Sequence, residues 1–164
     1  MNAAPTIRAI LAADPTISSL LNFLPNDTRT VRVYTTWLTR VETPTSFMRP
    51  DVDTLWPSIF VSRGGVPTRH PQDFRVPGMT AMYPQVWVYM PMLRGIDFED
   101  RSALVLQRAR VLLPEDLEVV DPHTGLKGRL RWWGDQPGRE ADEYTSTWGE
   151  SSMYEYRARW REED

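Results

Sequence analysis

The chain has 164 residues and a formal net charge of −3, with 19 Lys and Arg against 22 Asp and Glu. This balance argues against a protein that binds nucleic acid through bulk positive charge. Cysteine is absent, which excludes disulfides and thiolate metal sites. No apolar run approaches the ~20 residues of a membrane span, and no signal peptide is visible. We therefore expect one soluble domain spanning 1–164, made where it works or assembled from the cytoplasm.

The positive charges are almost all arginine, since Lys127 is the only lysine. Arginine favours bidentate pairing with carboxylates and stacking on aromatic rings, so an arginine-rich surface suits ordered contacts between proteins. A GC-rich genome that biases codon choice explains the same composition equally well.

Residues 4–24 are predicted to be helical in two pieces. Pro5 suits the first helical position. Asp14 is placed to cap a second, short helix from Pro15 to Leu24.

Two strands, each followed by a loop, come next. Val31 to Leu38 alternates in the manner of a strand, and residues 39–56 then lose periodicity and form a predicted loop. Pro57 to Ser62 is a short, buried strand, and 64–78 is a second long loop. Long loops within a compact domain are usually functional. We interpret the second loop as an assembly element whose candidate residues are Arg63, Arg69, His70, Asp73 and Arg75.

The stretch from Met79 to Pro91 is apolar on both faces, which predicts a strand in the middle of a sheet. The segment from Asp97 to Leu113 is predicted to be a helix capped by Asp97, with acidic residues in its first turn. Its apolar face should pack on this strand. That face comprises Ser102, Val105, Leu106, Ala109, Leu112 and Leu113.

The last third of the chain predicts a hairpin and a final strand. Leu117 to Val120 leads through a Pro- and Gly-containing turn into Gly128 to Trp133. A polar tract, 134–143, follows. The final strand, Tyr144 to Trp160, alternates strictly near its end, although a turn or a bulge at Gly149 to Ser152 stays open. One face of the strand end carries Tyr154, Tyr156, Ala158 and Trp160, and the other carries Glu155, Arg157 and Arg159.

Runs of strands with helices on one side predict an α+β fold, in which a mostly antiparallel sheet is packed by an N-terminal helical segment and one long helix. The chemistry is sparse. His70 and His123 have no second histidine at ligand spacing, and Glu140, Asp142 and Glu143 are better explained as a solvated turn. Phosphate-binding loops and nucleophile elbows are also missing. The sequence predicts no catalytic residues, no cofactor and no metal.

The aromatic residues of the strands could form a base-stacking surface, but filling a core is the simpler interpretation. Arginines occupy the outward strand positions, where they form either a solvated face with salt bridges to Glu118 and Glu155 or an interface. The candidate interface on the sheet face comprises Arg129, Arg131, Trp133, Arg157 and Arg159.

The opening Pro5 to Leu21, with its Leu-Ala-Ala-Asp-Pro motif, resembles the first helix of tail-terminator proteins of long-tailed bacteriophages. The order of the later elements is similar to that family as well, apart from the long loops 39–56 and 64–78. The resemblance implies a tail-terminator-like sandwich that forms a hexameric ring in the virion, at the head-proximal end of the tail. Its implied partners are further copies of itself, the tail tube protein and the head–tail connector or neck proteins. DNA would pass through without specific binding, and no membrane is involved.

Two other classes of function stay open. One is a different head–tail connector or neck component. The other is a small nucleic-acid-binding protein or enzyme, which a deep pocket with converging polar groups would favour.

Overall fold

The computed structural model describes residues 2–35, 54–64, 79–141 and 146–159. Within these residues the chain forms three helices and seven strands, a mixed architecture that is broadly α+β. In chain order they are α1 (Ala4–Ala12), α2 (Pro15–Leu21), β1 (Val33–Tyr34), β2 (Ser58–Ser62), β3 (Met79–Met82), β4 (Gln85–Pro91), α3 (Phe98–Leu112), β5 (Leu117–Val120), β6 (Lys127–Glu140) and β7 (Thr147–Arg159). None of these three helices combines the length and apolar character needed to cross a bilayer.

The strands form one curled sheet in the order β1-β2-β4-β7-β6-β5, with β3 also paired to β7. The β1–β2 pair is parallel, and the other pairs among the described strands are antiparallel. The mostly antiparallel sheet is therefore confirmed, as is the central position of β4, which lies between β2 and β7.

The predicted strand from Met79 to Pro91 is interrupted at Tyr83 and Pro84, so the prediction of a single strand was wrong. Proline has no N–H to donate to a neighbouring strand. The register along β7 does not shift across the break, because Met82 lies opposite Tyr156 and Gln85 lies opposite Met153. The two strands therefore form one continuous line beside β7.

The predicted helix caps are confirmed. The Asp14 carboxylate accepts a hydrogen bond from the Ile17 N–H at 3.0 Å, and the Asp97 carboxylate accepts one from the Asp100 N–H at 3.1 Å. Each carboxylate satisfies a backbone donor that the first helical turn leaves unpaired. The α2 helix ends at Leu21, three residues earlier than predicted.

The long helix α3 packs against β4 as predicted, with Ser102, Val105, Leu106, Ala109 and Leu113 buried. Leu112 is only half-buried, because Leu113 takes the inward position at the helix end.

The main core lies between the helices and one face of the sheet. Ile7 and Leu11 of α1 meet Val88, Leu130 and Tyr156 there, and all five are fully buried. The Tyr156 hydroxyl donates to the Val119 carbonyl at 3.1 Å, so this polar atom is not left unsatisfied inside the core.

A smaller aromatic cluster lies on the opposite face of the sheet. Leu55 packs there against Phe60 and Tyr89, whose rings meet edge to face with centroids 5.7 Å apart. Leu55 and Trp56 are buried, so the end of the predicted loop 39–56 belongs to the core instead. Residues 39–53 of that loop lie outside the described residues.

The predicted strand from Val31 to Leu38 is described as far as residue 35. Within that part, Val33 and Tyr34 form β1 and pair with β2 at the edge of the sheet, whereas Val31 precedes the strand and is 42% exposed. The rest of the prediction, 36–38, lies outside the described residues.

The polar tract 134–143 was predicted to lie outside the strands, but β6 continues through it to Glu140. It pairs with β7 across two bulges, one between Trp132 and Gly134 and one between Gln136 and Arg139. The second bulge contains Pro137, which explains how a strand accommodates a proline. The stretch Gly149 to Ser152 contains no turn, because β7 runs through it without a break. The bulge in this part of the β6–β7 pairing has its extra residues on β6 and not on β7. Tyr144 and Trp160, the ends of the predicted final strand, lie outside the described residues.

Candidate interaction surfaces

The sequence predicted two sets of candidate residues, and the structure describes part of each. In the loop set, Arg63 is exposed just after β2. Arg69, His70, Asp73 and Arg75 lie outside the described residues.

Most of the candidate residues on the sheet face lie close together on the paired strands β6 and β7. In the β6–β7 pair, Arg129 lies opposite Arg157, and Arg131 lies opposite Glu155. Since residues two apart on a strand share a face, these four side chains project from the face that the helices do not cover. Arg159 ends β7 opposite Met79.

The charges on this face are arranged in pairs. Arg129 lies 3.7 Å from Glu118 and Arg131 lies 3.5 Å from Glu115, and the arginine side chains of these pairs are 61% and 60% exposed. Ion pairs this exposed contribute little to stability. These two arginines remain available to a partner.

Glu155 was predicted to face solvent and is instead buried, which corrects that prediction. Its carboxylate forms an ion pair with Arg157 at 2.8 Å and accepts a hydrogen bond from the Tyr83 hydroxyl at 3.4 Å. The outward face of β7 is therefore covered near its end, and a carboxylate can be buried there because it is paired.

Trp133 is the exposed aromatic residue of this face. It is the extra residue of the first β6 bulge, since Trp132 pairs with Tyr154 and Gly134 pairs with Met153. The bulge leaves the indole 56% exposed, in edge contact with the Tyr83 ring at 5.5 Å. We call Arg129, Arg131 and Trp133 the arginine–tryptophan surface.

A groove that the sequence did not predict lies on the other side of the sheet, between α3 and the β6–β7 pair. Its volume is about 410 Å³. Its lining includes Leu106, Gln107, Arg110, Asp135, Gln136 and Glu150. No pattern in the sequence pointed to the groove, because Asp135 and Gln136 belong to the polar tract 134–143, which was not predicted to be part of a strand.

Glu150 is the unusual residue of the groove. It is the single β7 residue opposite Pro137 and Gly138 of the second bulge. Burial raises the pKa of its carboxyl group, and the nearby carboxylates of Asp135 and Glu99 raise it further. Its Oε2 atom is buried without a hydrogen-bond partner in the structure. A partner with a positive charge would relieve this cost.

The outer surface of α3 beside the groove is partly apolar. Leu104 is 51% exposed and Val111 is 66% exposed. They are seven residues apart and so lie on the same side of the helix. Single exposed apolar side chains are normal on a protein surface, so these two residues do not by themselves mark a contact.

The described residues offer little acid–base chemistry. They contain no group of three or more His, Asp or Glu side chains that could hold a metal ion. Burial would raise the pKa of Asp121, but hydrogen bonds from the His123 and Asn2 N–H groups outweigh it and lower that pKa. This carboxylate joins the hairpin turn to the N-terminus.

Comparison of the chain with protein-family models and with curated proteins finds no match to either.

Proposed function

We propose that this protein is a structural component of a long-tailed bacteriophage virion, where it forms a ring that caps the tail tube and joins the tail to the head. The proposed architecture is the tail-terminator-like sandwich, in which the helices cover one face of the sheet. The resemblance of the N-terminal helices and of the element order to tail terminators is the origin of this proposal.

The observation that supports it best is the presence of two different candidate surfaces on opposite sides of one sheet. The arginine–tryptophan surface lies on one face, and the groove with its unpaired Glu150 carboxylate lies beside α3 on the other. A protein that binds itself through two different surfaces makes head-to-tail contacts, and these close into a ring when the rotation per subunit divides a full turn.

The mild acidity of the chain also suits this role. Phosphate affinity comes from clusters of positive charge, and the net charge here is −3. DNA could pass through such a ring without being held.

The test is the location and stoichiometry of the protein in purified phage tails, measured by cryo-EM. We expect one ring, of six subunits by the family resemblance, at the head-proximal end. A location at the portal side, away from the tail tube, would favour another neck component. Absence from virions, or a distribution along the whole tube, would contradict the proposal.

A matched pair of variants connects this test to the surface. Arg129→Glu should reduce tail-to-head joining in a complementation assay, because the charge reversal lies on the arginine–tryptophan surface. Arg94→Glu makes the same charge change at an exposed position in the connector before α3 and should leave joining normal. Equal joining activity of the two variants would mean that this surface takes no part in assembly.

A further inference from the structure

We propose that the groove beside α3 receives the arginine–tryptophan surface of a second copy of this chain, with Arg131 of one copy pairing with Glu150 of the next. The proposal rests on the ring of the proposed function and names the contact that builds it.

The groove contains an unpaired carboxyl oxygen. Glu150 Oε2 is buried and has no hydrogen-bond partner in the structure. Burying an unpaired carboxyl oxygen is costly, and Glu150 as a whole is only half-buried in the groove lining, so its carboxyl group can be approached by a partner that enters the groove. Arginine is the side chain best suited to that position, because its planar group can donate two parallel hydrogen bonds to a carboxylate.

The other charged groups of the groove are already engaged. Asp135 accepts hydrogen bonds from the Trp132 indole at 3.0 Å and from the Ser152 hydroxyl at 2.5 Å. Arg110 stacks over the Trp132 ring, with its guanidinium carbon 4.1 Å from the ring centre. These contacts hold the groove walls in place and leave Glu150 as the acceptor.

The surface on the second copy is complementary in charge and is exposed. Arg131 is 60% exposed, and its ion pair with Glu115 is equally exposed, so it can be exchanged at little cost. Trp133 projects beside it and is 56% exposed. Tryptophan and arginine are the residue types that most often anchor the centre of an interface.

The two surfaces cannot meet within one molecule, because they lie on opposite faces of the β6–β7 pair. The contact therefore joins different copies and is head-to-tail. This arrangement distinguishes it from a two-fold dimer, in which the same patch would appear on both sides of the contact.

Charge reversal tests the pairing. Arg131→Glu and Glu150→Arg should each fail to self-associate in sedimentation of the full chain, because each places like charges together. An equimolar mixture should associate again, since each new charge then meets its opposite on the other variant. Recovery in the mixture cannot arise from misfolded protein. If the mixture associates no better than either variant alone, the pairing is wrong.

Disulfide trapping tests the same contact when association is weak. Because the chain contains no cysteine, every disulfide must form between the introduced residues. A mixture of Gln107→Cys, in the groove, with Arg129→Cys should form a mixed disulfide dimer. A mixture of Gln107→Cys with Ser19→Cys, an exposed position on α2, should trap several-fold less. Equal trapping of the two mixtures would overturn the contact. If purified tails carry the ring while both tests are negative, the contact fails and the proposed function stands; if the ring is absent from tails, the proposed function itself fails.

Discussion

The two faces of β6 differ in what they contribute to the molecule. Leu130 points towards the helices and is fully buried, whereas its neighbours Arg129 and Arg131 point away and have side chains about 60% exposed. Strand alternation thus places a core residue beside two candidate recognition residues. The comparison teaches that stability and binding can be altered separately within one short segment.

The largest effect expected is on the buried face. Leu130→Ala should lower the free energy of unfolding by about 2–5 kcal/mol, because it removes buried methyl groups and leaves a cavity. Arg131→Ala, its neighbour on the exposed face, should change that free energy by no more than about 0.5 kcal/mol. Urea titration of both variants checks the pair. Equal losses would mean that the two faces are not distinct.

A smaller effect is expected from glycines of the same strand. A Cβ atom added at Gly128 would lie 2.3 Å from a ring carbon of Tyr156 and 2.6 Å from the Arg157 carbonyl oxygen. Gly128→Ala should therefore cost about 1–3 kcal/mol through overpacking.

Gly134→Ala is the matched control, since nothing lies within 4 Å of the added atom. Thermal unfolding of the two variants should separate them clearly. Similar melting temperatures would show that the Tyr156 ring moves aside easily.

The next prediction concerns the ion pair that joins α2 to α3. Asp14 caps α2 and pairs with Arg108 at 2.8 Å, and the hydrogen bond from Arg108 lowers the pKa of its carboxyl group despite burial. Asp14→Ala should cost about 0.5–2 kcal/mol from loss of the cap. Asp14→Asn keeps a capping oxygen but loses the charge. Its loss of stability relative to the natural protein therefore measures the contribution of the ion pair with Arg108.

The pH dependence of this pair has a definite sign. Because the folded-state pKa is lowered, the stabilisation from the charged form is fully present above the unfolded pKa of about 3.9 and is lost as the pH falls through the folded value. The stability advantage of the natural protein over Asp14→Asn should thus shrink in acid. An advantage that is constant from neutral pH to acid would contradict the ion pair.

The smallest effect is expected at the groove. The pKa of Glu150 is raised in the folded state, so its protonated form favours folding. The stability that this contributes is fully present below the unfolded pKa and is lost as the pH rises through the folded-state pKa. Glu150→Gln should leave the free energy of unfolding at neutral pH unchanged or raise it by less than about 1 kcal/mol. The same variant should weaken self-association. A clear loss of stability instead would assign Glu150 to the fold and not to a contact.

Much of the fold could be predicted from local signals. The Asp14 and Asp97 caps and the apolar stripe of α3 depend on spacings within a few residues, so the sequence determined them almost completely. The alternation of Tyr154 and Tyr156 likewise predicted which face of β7 is buried, because a strand repeats every two residues.

The tertiary structure alone decided the features that depend on a partner strand. Pro137 and Gly138 look like loop residues locally, yet pairing with β7 holds them in a bulge of β6. Glu155 looks solvent-facing by alternation, yet Tyr83 and Arg157 cover it. Glu150 lies in the groove at the point where that bulge places two residues opposite one, a relation between distant segments that no local pattern in the sequence records.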